Sequence, residues 1–234
     1  MQETVARRRP HTDTLALARQ VLCAEADALW QVADRLDDGF VRVADLLFHG
    51  RGRVAVTGIG KCEDVGRKTV GTLNSTGTRA YFLSATNARH GDLGMLHPDD
   101  VALLFSHSGE SDEIVRLLPD LRSHSAGIAA ITGNARGTLA RSADAAIVYG
   151  SLTETCPLNL APSSSTTVML ALGDAIAFTL SGRRGLTADE FARFHPAGNL
   201  GRRLARVEIC MRRGPDLRVA PADESVRNIF AQSG

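Results

Sequence analysis

No charge of one sign dominates this chain. Its 27 basic and 26 acidic residues leave a net +1 at pH 7, too little to build the field that binding to nucleic acid or a membrane surface draws on. No apolar run reaches the roughly 18 residues that a spanning helix needs. Paired cysteines are missing as well. Cys23, Cys62, Cys156 and Cys210 are scattered, and no two are spaced C-x-x-C. That argues against a zinc ribbon or a thioredoxin-like motif and points to a reducing compartment. Arg7-Arg8-Arg9 is followed by Pro10, His11, Thr12 and Asp13, with no apolar stretch behind it, so it reads as a solvated arm and not a twin-arginine signal. The expected location is cytoplasmic, with no membrane or nucleic-acid partner. Lysine is scarce too: only Lys61 and Lys68 stand among the 27 basic residues, which draws attention to both.

What is present is ordinary for a globular chain. Of 234 residues, 44% are apolar and 23% charged, enough to bury a core without disulfides. Residues 14–49 read as two helices, the first with Leu15, Ala18, Leu22, Ala26 and Leu29 at helical spacing, broken at Asp37-Asp38-Gly39. Short apolar runs follow at 54–57, 80–83, 101–105, 128–132 and 145–149, with helical patterns between most of them, as at 62–74 and 112–121. Strands alternating with helices predict an α/β fold, a three-layer α-β-α sandwich on a five-stranded parallel sheet. A long helix is expected over 164–180, then a polar segment over 187–203. The expected division is N-terminal helices over 1–50 packing on a domain over 51–206. A linker and the opening of a further domain are expected over 207–234.

Ligands of such sheets bind at the carboxyl ends of the strands, so the residues after each strand carry the chemistry. After the first comes Thr57-Gly58-Ile59-Gly60-Lys61-Cys62. It lacks the spacing of a Walker A loop, and Glu63 stands where a dinucleotide fingerprint needs its third glycine. Neither an NTPase nor an NAD enzyme is supported. After the third comes Ser106-His107-Ser108-Gly109-Glu110-Ser111, where Ser106, Ser108 and Ser111 at a helix start can cradle a phosphate or serve as simple caps. Glu110, Asp112 and Glu113 would repel that phosphate, so at least one must turn elsewhere. After the fifth comes Glu154, a carboxylate on a proline-stiffened loop, and then a hydroxyl run that reads as caps of the long helix. His90 and His195 stand out among the histidines, whereas His11, His49, His97 and His124 read as structural or solvated.

The stretches Gly58-Ile59-Gly60-Lys61, His90-Gly91-Asp92-Leu93-Gly94-Met95, Ser106-x-Ser108-Gly109, Glu154-x-Cys156-Pro157 and His195-Pro196-Ala197-Gly198 together resemble the sugar isomerase (SIS) domain family, in its D-arabinose 5-phosphate isomerase branch. The resemblance implies an aldose–ketose isomerase that interconverts D-ribulose 5-phosphate and D-arabinose 5-phosphate through a cis-enediol. The product would feed synthesis of the acid sugar Kdo for lipopolysaccharide or capsule. It implies Lys61, His90, Glu113, Glu154 and His195 as acid–base and charge-stabilising groups. Substrate contacts would come from Gly77, Thr78, Ser106, Ser108 and Ser111. A homotetramer with shared sites is also implied, with His90 and His195 placed to reach a neighbour's pocket.

No cofactor is implied, and no metal: Ser84 stands where many relatives carry a histidine implicated in zinc binding. Cys62 replaces the usual serine. The family usually ends in a pair of CBS domains, of which the sequence holds only an opening. Two other readings stay open. One is a non-catalytic phosphosugar sensor, although the residues before the first strand show no clear basic recognition helix. The other is an isomerase of a different sugar phosphate, against which the His-Pro-Ala-Gly stretch argues.

Overall fold

The computed structural model describes residues 13–195, 211–212, 214 and 219–231. Two helices open the fold, α1 (Thr14–Asp34) and α2 (Asp38–His49). Strands β1 (Val54–Gly58), β2 (Ala80–Phe82), β3 (Val101–Phe105), β4 (Gly127–Thr132) and β5 (Ala145–Val148) then form one parallel sheet in the order β2-β1-β3-β4-β5. Between and after them run α3 (Lys61–Ser75), α4 (Ala85–Ala88), a 3-10 turn (Asp92–Met95), α5 (Asp112–His124), α6 (Thr138–Ser142), α7 (Ser164–Arg184) and α8 (Ala188–Phe194), with a further helix at Val226–Ala231. The expected sandwich is the observed one.

The two-residue period of the strands divides the core. On β3, Val101, Leu103 and Phe105 join a cluster with α2, α3 and α7, whereas Ala102 and Leu104 join one with α4, α5 and α6. All five β3 residues are buried, as a sheet covered on both faces requires. Helix α7 is long and apolar enough to cross a membrane by length and composition. Here it packs on α3 and buries Val168, Met169, Leu172, Ile176 and Leu180. Lys68 of α3 pairs with Asp174 of α7, which also accepts from the Thr72 hydroxyl at 3.0 Å. One of the two scarce lysines therefore ties helix to helix.

Helix α1 departs from expectation. Leu15 and Leu22, on the face that its spacing singles out, are 65% and 67% exposed, and the buried residues are Ala28 and Val32 near its end. Only that last stretch reaches the core, against α7. Helix α7 runs on to Arg184 because Gly185 supplies the left-handed turn that ends it. The polar segment contains α8, opened by a capping box between Thr187 and Glu190. Residues 196–203, Cys210 and the arginine-rich arm lie outside the described residues.

Candidate active site

The sheet order reverses between β1 and β3, and a crevice opens at the carboxyl ends of adjacent strands wherever that happens. Gly60, with φ 59°, turns the chain out of β1, and Lys61 opens α3 directly behind it. His107 follows β3. The loop after β5 brings in Glu154. Lys61, His107 and Glu154 line a cavity of about 450 Å³ together with Cys62, Thr153 and Ser165, walled by Ile59, Leu152 and Met169.

Glu154 is the fixed point of this cavity. Its Oε2 accepts from the Ser163 N–H at 2.7 Å, the Ser163 hydroxyl at 3.0 Å and the Ser165 N–H at 3.3 Å. The expectation of hydroxyl caps is thus corrected. Ser163 holds the N-cap position of α7 but makes no side-chain cap bond. The carboxylate takes the orphan N–H groups instead, a charge-assisted cap at the positive end of the helix. Burial works against the Glu154 charge, yet the hydrogen bonds from Ser165 and Ser163 outweigh it and hold the carboxyl below the usual range. Lys61 is mostly exposed and pairs loosely with Asp64 at 3.5 Å, so its ammonium is available to an anion. The Cys62 thiol is pushed up by burial and stays protonated.

The serine loop is folded on itself. The buried Ser106 Oγ accepts from the Gly109 N–H at 3.1 Å and lies 3.2 Å from the Ser111 Oγ. Ser108 Oγ accepts from the Glu110 N–H at 3.2 Å. Ser111 stands at the N-cap of α5 without a side-chain cap bond, which leaves the first N–H groups of α5 uncapped by it. The acidic neighbours sort themselves as the charge problem requires. Glu110 turns away to accept from the Thr138 N–H at 2.7 Å and the Thr138 hydroxyl at 3.1 Å. Asp112 pairs with Arg116 at 2.8 Å. Glu113 faces a second cavity.

That second cavity, of about 410 Å³, is lined by Glu113 and His90 with Ala85, Thr86, Arg89, Asp112 and Arg116. His90 therefore sits with Glu113 of its own chain. His195 lines neither of these two cavities. It ends α8, donates from Nδ1 to the Phe191 carbonyl at 2.9 Å and stacks on the Phe191 ring at 4.2 Å. Residues 196–198 of its motif lie outside the described residues.

Gly77 and Thr78 precede β2 and so lie at the opposite, amino end of the sheet. They line a third cavity, of about 210 Å³, among Arg51, Arg53, Arg79 and Arg184. Thr78 is buried, and its hydroxyl accepts from Arg184. Within one chain, these two do not line the cavity that holds Lys61, His107 and Glu154.

His107 was passed over by the sequence reasoning. Its one signal was its place directly behind β3, in the serine loop. Among the described residues no group of three or more His, Cys, Asp and Glu could hold a metal ion. Ser84 caps α4, its hydroxyl accepting from the Asn87 N–H at 3.3 Å.

The sheet, its covering helices and the cavity at the switch point define an α/β protein of the class that takes small ligands over its strand ends. Residues 47–179 match the SIS domain family, and the chain belongs to it. Among curated proteins it is 46% identical over 187 residues to arabinose 5-phosphate isomerase KpsF of Escherichia coli, covering 80% of this chain and 57% of that one. It is 45% identical over 206 residues to arabinose 5-phosphate isomerase KdsD of Pseudomonas aeruginosa, covering 88% of this chain and 63% of that one. The chain thus spans less than two thirds of the length of these two relatives. Among solved structures, a protein of E. coli CFT073 in complex with arabinose 5-phosphate superposes with a TM-score of 0.77 at 36% identity, over 80% of this chain and all of that one.

Proposed function

We propose that this chain is an aldose–ketose isomerase that interconverts D-ribulose 5-phosphate and D-arabinose 5-phosphate through a cis-enediol. The observation that carries this reading is the match along the whole of a chain solved with arabinose 5-phosphate, at 36% identity. Curated relatives named for the same sugar phosphate support it.

Moving a proton between C1 and C2 needs a base, an acid for the oxygens and opposition to the enediolate charge. Glu154 and Lys61 bring a carboxylate and an ammonium to one cavity, and Glu113 and His90 bring a carboxylate and an imidazole to the other. The phosphate would take the Ser106–Ser111 loop and the uncapped start of α5. No metal or cofactor enters this scheme.

The two sets lie in separate cavities of one chain. The reading therefore includes a homo-oligomer, a tetramer by family, in which the outer cavity of one subunit meets the inner cavity of another and in which Gly77, Thr78 and His195 find their role. Exposed apolar residues supply surface for such contacts: Trp30 at 71%, Phe178 at 59% and Leu36 at 44%. Val32, two residues beyond Trp30, is buried in the core instead. The reading places the enzyme in the cytoplasm, with its active domain over 51–206, and its product in Kdo synthesis.

Proton NMR of D-ribulose 5-phosphate incubated with the purified chain tests the reaction. Growth of the arabinose 5-phosphate anomeric signals is expected, undiminished after exhaustive chelation. Binding of the sugar phosphate without turnover would make the chain a sensor. Activity lost on chelation and restored by one metal would overturn the metal-free scheme.

A further inference from the structure

The ends of β3, β4 and β5 carry an arrangement that the scheme above does not use. His107 follows β3, Gly133 follows β4 and Tyr149 follows β5. The ladder continues past the strands: the Gly133 N–H donates to the His107 carbonyl at 3.0 Å and the Tyr149 N–H to the Thr132 carbonyl at 3.1 Å. The imidazole and the phenol meet above Gly133, stacked with centroids 5.7 Å apart and planes at 26°. A Cβ on Gly133 would lie 2.9 Å from His107 Nδ1 and 3.0 Å from the Gly150 carbonyl oxygen, so any larger residue there would press on the imidazole. His107 Nδ1 and Tyr149 Oη are 2.7 Å apart.

The direction of this bond follows from burial. Tyr149 is 1% exposed, and a buried hydroxyl hydrogen needs an acceptor. The one partner that the described residues give Tyr149 Oη is His107 Nδ1. Burial, with Cys62 and Glu154 adding to it, holds the phenol protonated. The phenol therefore donates, Nδ1 accepts through its lone pair, and the ring proton of the neutral imidazole is assigned to Nε2. The opposite tautomer would strand the phenol hydrogen.

His107 also lines the cavity that holds Lys61 and Glu154. We propose that Tyr149 is a positioning residue that locks His107 in its Nε2–H tautomer, and that this N–H donates a hydrogen bond to a substrate oxygen in the Lys61–Glu154 cavity. The identity of that oxygen's owner, a pentose phosphate, rests on the isomerase reading. A neutral imidazole held this way can polarise a carbonyl or steady an enediolate oxygen without giving up its proton. Its geometry is set before substrate arrives, by a buried partner 42 residues away.

The test uses the full chain labelled with ¹⁵N-histidine at about pH 8, where an ordinary imidazole is neutral. Two-bond ¹H–¹⁵N correlation reads the tautomer, with His107→Gln identifying the His107 signals by their loss. The expected wild-type ring has an unprotonated Nδ1 and a protonated Nε2. D-Arabinose 5-phosphate should shift the Nε2 resonance. Tyr149→Phe should mix the tautomers and lower kcat by about tenfold, or about 1.4 kcal/mol, with KM changed less than about twofold. His107→Gln places an amide N–H close to where Nε2 lies and should retain more activity than His107→Leu.

A wild-type Nδ1–H tautomer would overturn the proposal, and so would an unchanged kcat in a folded Tyr149→Phe. Should Tyr149→Phe fail to fold, the wild-type tautomer and the glutamine–leucine pair decide. Absence of turnover in the wild type, with the Nε2 shift intact, would remove the isomerase reading and leave the lock. Turnover without any Nε2 shift on saturation would do the reverse.

Discussion

The two cavities that hold the candidate acid–base groups are built on different terms. In the inner one, over β1 and β3, the carboxylate and the imidazole are each held by groups of the same chain. Glu154 is pinned by three hydrogen bonds to the start of α7, and His107 by Tyr149. In the outer one, His90 and Glu113 are exposed, and no hydrogen bond among the described residues fixes either side chain. Preorganisation lowers the cost of binding and of stabilising charge, so the inner cavity reads as finished within one chain. The outer one reads as a surface that gains its dryness and its geometry when something covers it. Substitutions should respond accordingly: inner ones should disturb both fold and activity, outer ones activity alone.

Glu154→Gln offers the sharpest break. Positioned proton transfer and charge are worth about 10²–10⁴-fold, so kcat should fall by at least about a hundredfold. The α7 cap weakens too, at about 1 kcal/mol. The Glu154 carboxyl is depressed in the folded state, so its stabilisation is complete above its ordinary pKa and is lost as pH falls through the lower folded value. Denaturant melts of wild type and variant should differ near neutrality and converge in acid. Glu113→Gln should lose comparable activity with no change in stability. Equal destabilisation by both would erase the distinction between the cavities.

Mixing comes next in size. Glu154→Gln and Glu113→Gln chains, each inactive, are unfolded and refolded together in equal amounts. If inner and outer cavities of different subunits face each other, random assembly leaves about a quarter of the sites intact, and that share of activity returns. If each site lies in one chain, every site carries a lesion and the mixture stays dead. A pair drawn from a single cavity, such as His90 with Glu113, cannot make this distinction, because both side chains line one cavity of one chain.

The parts of the fold legible in the sequence were those with local causes. The run at 101–105 is β3 to the residue, because a strand buried on both faces needs only an unbroken apolar stretch. The first helix was also found, but its buried face was not. Leu15 and Leu22 keep the spacing of a core stripe while standing in solvent, and no periodicity reveals that a helix lacks a partner. Site residues divided the same way. Glu154, at a strand end on a stiff loop, could be picked out. Glu110's turn toward Thr138 spans 28 residues and the His107–Tyr149 bond spans 42, and only the sheet order brings such pairs together. Gly77 and Thr78 came from resemblance alone, and the chain's own topology sets them at the far end of the sheet.

Lys61 tests how tightly the inner cavity is built around a cation that nothing buried holds. Lys68, the other lysine, already serves α7 through Asp174, whereas among the described residues Lys61 pairs with the exposed Asp64. Arginine keeps the charge but spreads it over a wider, planar fork. Lys61→Arg should lower kcat at least about tenfold, or about 1.4 kcal/mol in the barrier, with the melting temperature unchanged. A near-normal rate would make Lys61 a bystander and the cavity looser than its hydrogen bonds imply.

The smallest expected effect concerns thiols and leaves activity aside. Cys62 lines the inner cavity, half-buried, and burial pushes its thiol up. Cys156 lies just beyond Glu154, and its Sγ accepts from the Leu160 and Ala161 N–H groups at 3.1 Å each. Those bonds, led by Ala161, outweigh desolvation and hold the Cys156 thiol below its ordinary value. The thiolate is the nucleophile in alkylation, so iodoacetamide at neutral pH should modify Cys156 a few-fold or more faster than Cys62, as read by peptide mass spectrometry of timed samples. Urea that unfolds the chain should bring the two rates together, since both differences arise from folded contacts. Raising the pH should narrow the gap as well, by ionising Cys62 while Cys156 gains little. If Cys62 reacts first in the folded chain, the inner cavity is open to reagent and its walls are not the fixed frame that Glu154 and Tyr149 describe.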